Sequence, residues 1–239
     1  MDKTKKRIVS MFVIVILVVA AGMYLFSYSS AIDVDDYLIS RDGVAVSETH
    51  YGLFFDGEGT DDILIFYPGA KVEYTAYAPL LFELAKGGLD VALVKMPCNM
   101  AIFGASEADK IPEAENYARI FVGGHSMGGA MAAAYASITE RELSGLVFYA
   151  AYSATDIAEK ALPVLSLYGE FDKVLNMSKL AEGRALVGDK YEEVCISGGN
   201  HAYFGSYGEQ KGDGKATITP KEQMKVAAEE TLRFVKSVA

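Results

Sequence analysis

Hydrophobic positions divide this chain into one long apolar run and a series of short ones. Residues 8–26 contain no charge, and only Ser10 and Tyr24 carry a polar group. At ~1.5 Å per residue a helix of that length spans roughly 28 Å, close to the hydrocarbon thickness of a bilayer. Further along, β-rich runs at 51–55, 63–67, 91–94, 120–122, 146–149, 164–167 and 194–196 predict strands, several of them apolar throughout. Helical spacing predicts helices at 73–86, closed by Gly87 and Gly88, at 127–139, and at 220–235, where Pro220 fits a first turn. Apolar strands alternating with helices define an α/β class, a mostly parallel sheet covered on both faces, preceded by one N-terminal transmembrane helix.

Charge gives this pattern a direction. Residues 1–7 carry +3 of the formal net charge of −10, which leaves −13 on the rest. The positive-inside tendency then makes 1–7 a cytoplasmic tail and 8–26 a signal anchor in the lipid bilayer, with 27–47 a polar linker and 48–239 an extracytoplasmic domain. Ser29, Ser30 and Ala31 support a second reading, a signal peptide cleaved after Ala31 and a secreted domain, but the apolar run exceeds the usual ~7–15 residues of such a peptide. An acidic domain repels phosphate backbones, so nucleic acid is not an expected partner. Cys98 and Cys195 form no metal-ligand spacing, and Cys98 reads as a buried thiol. Asp56, Glu58, Asp61 and Asp62 read as a solvated turn, so no metal site is expected.

The segment with the most chemistry runs from Arg119 through Gly124-His-Ser-Met-Gly, with a strand before it and a helix after it. In that context G-x-S-x-G is a nucleophile elbow, a tight turn that lifts the Ser126 hydroxyl above the sheet edge. A serine hydroxyl needs a base, usually a histidine oriented by a carboxylate. His125 lies inside the elbow and should point elsewhere, and His50 enters the first strand. His201 follows the last strand, in Gly199-Asn-His, where open parallel sheets place their sites, and is the candidate base. Asp172 follows the preceding strand and is the candidate acid, with Glu170 its rival and a helix N-cap its ordinary alternative.

The order Ser126, Asp172, His201 resembles the α/β-hydrolase superfamily over most of residues 48–236, and is most similar to small lidless members related to dienelactone hydrolase. That resemblance implies an oxyanion hole of backbone N–H groups, from Met127 and from Ala70 or Lys71, although Tyr67-Pro-Gly-Ala-Lys lacks the His-Gly many relatives have there. An ordinary turn is the lesser alternative for Pro68 and Gly69. It implies a serine hydrolase acting on a small acyl substrate, most simply a carboxylic ester, with no cofactor. Lactone, thioester, amide and acyl-transfer chemistry use the same groups. A non-catalytic surface binding domain is the alternative, opposed by the intact constellation. Residues 153–162 are too few for a helical lid, and 205–217 read as a mobile flap or a disordered loop, so an open cleft for short acyl chains is expected.

Overall fold

The computed structural model describes residues 27–59 and 61–238, with a few isolated positions before 27. The span expected at 8–26 therefore lies outside the described residues; among those that are described, no helix is long and apolar enough to cross a membrane.

Eight strands form one sheet: β1 (Ala45–Glu48), β2 (Gly52–Asp56), β3 (Asp62–Tyr67), β4 (Asp90–Val94), β5 (Arg119–His125), β6 (Gly145–Tyr149), β7 (Val164–Gly169) and β8 (Tyr191–Ile196). Their order is β1-β2-β4-β3-β5-β6-β7-β8. The β1–β2 and β2–β4 pairs are antiparallel and every other pair is parallel. Among the described residues, four α-helices accompany them: α1 (Ala78–Lys86), α2 (Met127–Ile138), α3 (Met177–Val187) and α4 (Pro220–Ser237).

The continuous apolar strands follow from burial on both sides. Along β3, Leu64 and Phe66 point into a core shared with α1 and α4, while Ile63, Ile65 and Tyr67 point into a second core shared with α2. Parallel register then aligns the strand ends, Tyr67 beside Gly124 and His125 beside Tyr149. The turns carrying the candidate residues thus open on one edge of the sheet.

Several local expectations need correction. The linker expected at 27–47 is part of the domain: Val34 and Val44 are buried in the first core, and Tyr28 forms a β-bridge with Val72. Its apolar residues are scattered among acidic ones, so no period announces them. Strand β1 lies exposed at the sheet edge and shows no alternation. Helix α3 buries only Leu180, Gly183 and Val187, a stripe too narrow to read as amphipathic. Between β4 and β5 the chain makes four successive 3-10 turns, over Pro97–Asn99, Ala101–Phe103, Ala105–Lys110 and Pro112–Asn116. Cys98 is exposed on the first of these, not buried, and both cysteines are free.

Candidate active site

Ser126 occupies the expected turn. Its φ of 53° and ψ of −120° lie where an L-residue seldom sits, and its N–H donates to the Tyr149 carbonyl at 2.9 Å. The close approach of β3 dictates the flanking glycines: a β-carbon on Gly124 or Gly128 would stand 2.3 or 2.1 Å from the Tyr67 carbonyl oxygen. Met127 begins α2, so its N–H has no carbonyl one turn back within the helix and faces the positive end of the helix dipole.

The candidate acid and base meet. His201 Nδ1 lies 2.8 Å from Asp172 Oδ2, and both side chains are almost wholly buried. Asp172 Oδ1 accepts the N–H groups of Val174 and Leu175 at 2.9 and 2.7 Å, which fixes the carboxylate plane. The ordinary alternative for Asp172 does not hold, because Asn176 caps α3 through its bond to the Lys179 N–H. Glu170 is also occupied elsewhere, accepting from Ser197 Oγ and the Gly198 N–H. With the Nδ1 proton directed at Asp172, the Nε2 lone pair of His201 is the basic one. It is buried and has no hydrogen-bond partner among the described residues.

His201 and Ser126 border the same cleft, of about 360 Å³, whose apolar walls include Ile102, Met127, Met131, Val174 and Leu175. Among the described residues, no Asp, Glu, Lys or Arg side chain lines it. Ile102 comes from the second 3-10 turn, a wall that no sequence pattern announced. His50 does not line this cleft; it is exposed and bonded to the Lys110 carbonyl.

The oxyanion candidates separate. The Lys71 N–H donates to the Asn99 carbonyl at 2.7 Å and is not available, whereas the Ala70 N–H makes no hydrogen bond among the described residues. Lys71 adopts a left-handed φ of 60°.

His125 does more than pack. Its Nε2 lies 3.0 Å from the His201 carbonyl and so must donate; its Nδ1 then accepts from Tyr77 Oη at 2.8 Å, and Tyr77 Oη accepts the Gly69 N–H at 3.0 Å. One directional chain thus links the turn after β3 to the backbone of the candidate base. A side chain at Gly69 would break it, since a β-carbon there would lie 2.7 Å from His125 Nδ1. Burial, then the neighbouring His201, holds the His125 pKa well below the histidine range. Unfolded His125 therefore gains a proton as the pH falls below ~6.5 while the folded form stays neutral, so folding weakens on acidification. His125→Gln, which keeps a donor for the His201 carbonyl, should lose about 2 kcal/mol less stability than wild type between pH 7.5 and 5 in urea melts.

Other residues that the sequence did not single out hold the acid and base in place. Asp213 Oδ2 accepts the Ala202 N–H at 2.9 Å and Oδ1 accepts the Lys173 N–H at 3.3 Å, joining the residues that follow His201 and Asp172. The fully buried Gln223 pairs with both backbone groups of Asn200, at 2.9 and 2.8 Å. Residues 205–217 are accordingly no flap: Ser206 and Tyr207 are buried, and the Gly214 carbonyl accepts from Asn200 Nδ2. Asp213 stands in a Gly-Asp-Gly run that reads as a turn. Gln223 gave a usable signal, a polar residue on the buried stripe of α4.

Comparison with known proteins agrees with this architecture. No curated protein matches the chain. Among solved structures, a predicted CIB-like hydrolase from Thermoplasma acidophilum superposes with a TM-score of 0.57 at 15% identity, over 80% of this chain and 100% of that one. The dienelactone hydrolase from Anabaena variabilis gives 0.57 at 13% identity, over 82% and 99%. MenH from S. aureus gives 0.58 at 13% identity, over 79% and 98%. Such identities establish a shared fold and no more. Residues 63–225, a span that contains Ser126, Asp172 and His201, match the alpha/beta hydrolase family. This chain belongs to the alpha/beta hydrolase family.

Proposed function

We propose that the protein is a membrane-tethered, extracytoplasmic serine hydrolase that cleaves carboxylic esters. The observation that carries this reading is the buried, unpartnered Nε2 of an Asp172-bonded histidine, bordering the same cleft as an elbow serine. His201 Nε2 takes the Ser126 proton as Oγ attacks the acyl carbon, and the carbonyl electrons move onto oxygen. The Met127 and Ala70 N–H groups stabilise that oxyanion. His201 returns the proton to the departing alkoxide, which leaves an acyl-enzyme. Water repeats the sequence, and the carboxylic acid departs. Asp172 keeps the imidazole in one tautomer and stabilises its protonated form. The chemistry needs no cofactor.

Tethering rests on residues 8–26, long enough to span a bilayer, and on the basic tail before them, which sets the orientation.

Cleft composition narrows the substrate. A volume of about 360 Å³ holds roughly a dozen heavy atoms at the ~30 Å³ that a water molecule occupies in the liquid. The absence of charge in its lining favours an uncharged acyl group. Purified enzyme assayed below the micellar limit should hydrolyse esters of about two to six acyl carbons with kcat/KM at least ~10-fold above those of twelve or more. Lactones, thioesters and amides in the same panel identify the bond preferred. A kcat/KM that climbs steadily with chain length would contradict the open, short cleft, and a panel without any turnover would contradict the hydrolase.

A further inference from the structure

The first described residues after the apolar run are bound to the turn after β3. The Tyr28 N–H donates to the Lys71 carbonyl at 2.6 Å, and the Glu73 N–H donates to the Tyr28 carbonyl at 2.9 Å. Glu73 Oε2 accepts both the N–H and the Oγ of Ser30, at 3.0 and 3.2 Å. On the other flank, Asn99 accepts the Lys71 N–H through its carbonyl and reaches Ser27 Oγ through Nδ2 at 3.2 Å. Both backbone groups of Lys71 are thereby held from outside its own turn. Lys71 needs that support, because a lysine at a φ of 60° is in a conformation that an L side chain adopts rarely. Lys71 follows directly on Ala70, the candidate donor, so the bonds that hold Lys71 hold the C-terminal side of that residue.

The segment continues to the other half of the site. The Ala31 N–H donates to the Ser206 carbonyl at 2.9 Å, and the Tyr28 ring packs 5.6 Å from that of Tyr207. These partners lie in the loop that follows His201 and carries Asp213.

We propose that residues 27–30 are a working strap of the active site, holding the oxyanion turn through Lys71 and Glu73, so that cutting the chain after Ala31 disarms the enzyme at the same moment that it frees the domain. Residues 27–30 and the oxyanion turn are one structural unit. This inference rests on the reading of Ser126 and Ala70 given above. It also makes the retained N-terminus a requirement for turnover and not only an address, and it turns cleavage at the small residues Ser29-Ser-Ala into an off switch.

The test uses the full chain in detergent, with every rate expressed per site titrated by a fluorophosphonate, so that misfolded molecules do not count. Tyr28→Pro removes the N–H that Lys71 accepts, and Tyr28→Ala keeps it, so the ratio of the two isolates the backbone bond. Displacing one oxyanion donor costs about 10²–10³ in kcat when it is lost outright; a loosened turn should cost at least ~10-fold in this ratio, with KM within about threefold. The inhibition constant of a short alkyl boronic acid, which forms a tetrahedral anion on the serine, should worsen by the same factor, an effect that reduced stability alone would not produce. Should Tyr28→Pro not fold, Glu73→Ala takes its place: it should lower kcat and boronate affinity together, and Glu73→Gln, which retains an acceptor for Ser30, should recover most of both. Equal kcat and equal boronate affinity across either pair would overturn the strap, as would a fully active enzyme whose N-terminus is Ile32. Turnover that persists in Ser126→Ala would instead overturn the hydrolase reading on which the strap depends.

Discussion

Ser126→Ala and His201→Ala should each lower kcat by about a millionfold, and the double variant should be no worse than either single one. The two residues act as one device: without the imidazole the hydroxyl keeps its proton, and without the hydroxyl the imidazole has nothing to activate. Removing either ends the covalent route, and only the residual help of binding and the oxyanion hole remains. Folding should survive both changes. Ser126 is half-buried at the cleft, and the backbone of Asn200, His201 and Ala202 is held independently by Gln223, His125 and Asp213 respectively. His50→Ala should behave as wild type, because its ring is bonded to the Lys110 carbonyl and exposed. Pre-steady-state kinetics on the three variants measure this. A loss at His50 equal to that at His201 would move the base, and additive losses at Ser126 and His201 would mean that they act separately.

Asp172→Asn should reduce kcat by about 10⁴-fold while leaving the protein folded. The carboxylate accepts three hydrogen bonds, one from His201 and two from the Val174 and Leu175 N–H groups. An amide at this position has one oxygen and one NH₂. If the oxygen keeps the two backbone donors, the NH₂ faces His201 Nδ1 and forces the proton onto Nε2, the nitrogen that must accept from Ser126. The imidazole is then in the wrong tautomer. Glu170→Gln provides the contrast, since Glu170 bonds Ser197 and Gly198 and not the histidine, and its kcat should change by less than about threefold. If Glu170→Gln proved the more damaging substitution, the assignment of the acid would be reversed.

These two predictions concern residues that local sequence already marked. Ser126, Asp172 and His201 each follow a strand within a few residues, and each carries its own turn chemistry, so a strand pattern and a short motif suffice to find them. The continuous apolar run along β3, buried on both faces, made the class of fold readable for the same reason. The supporting residues follow a different rule. Tyr77 meets His125 across 48 positions, Asp213 meets Lys173 across 40, and Ser30 meets Glu73 across 43. Nothing near those residues in the chain records such pairings, because they are made by the parallel crossovers that bring distant turns to one sheet edge. The 3-10 run between β4 and β5 was hidden differently. With three residues per turn and short pieces, it leaves neither a helical nor a strand period. Residues 27–47 misled through composition: four acidic residues among their apolar ones gave the look of a linker, although Val34 and Val44 belong to the core.

The central claim is that Ser126 is an activated nucleophile, and covalent labelling of the wild-type protein tests it most directly. A fluorophosphonate should add one adduct per chain, seen in the intact mass, and peptide mapping should place it on Ser126. A folded chain that remains unlabelled, or an adduct mapped to any other residue, would contradict the account.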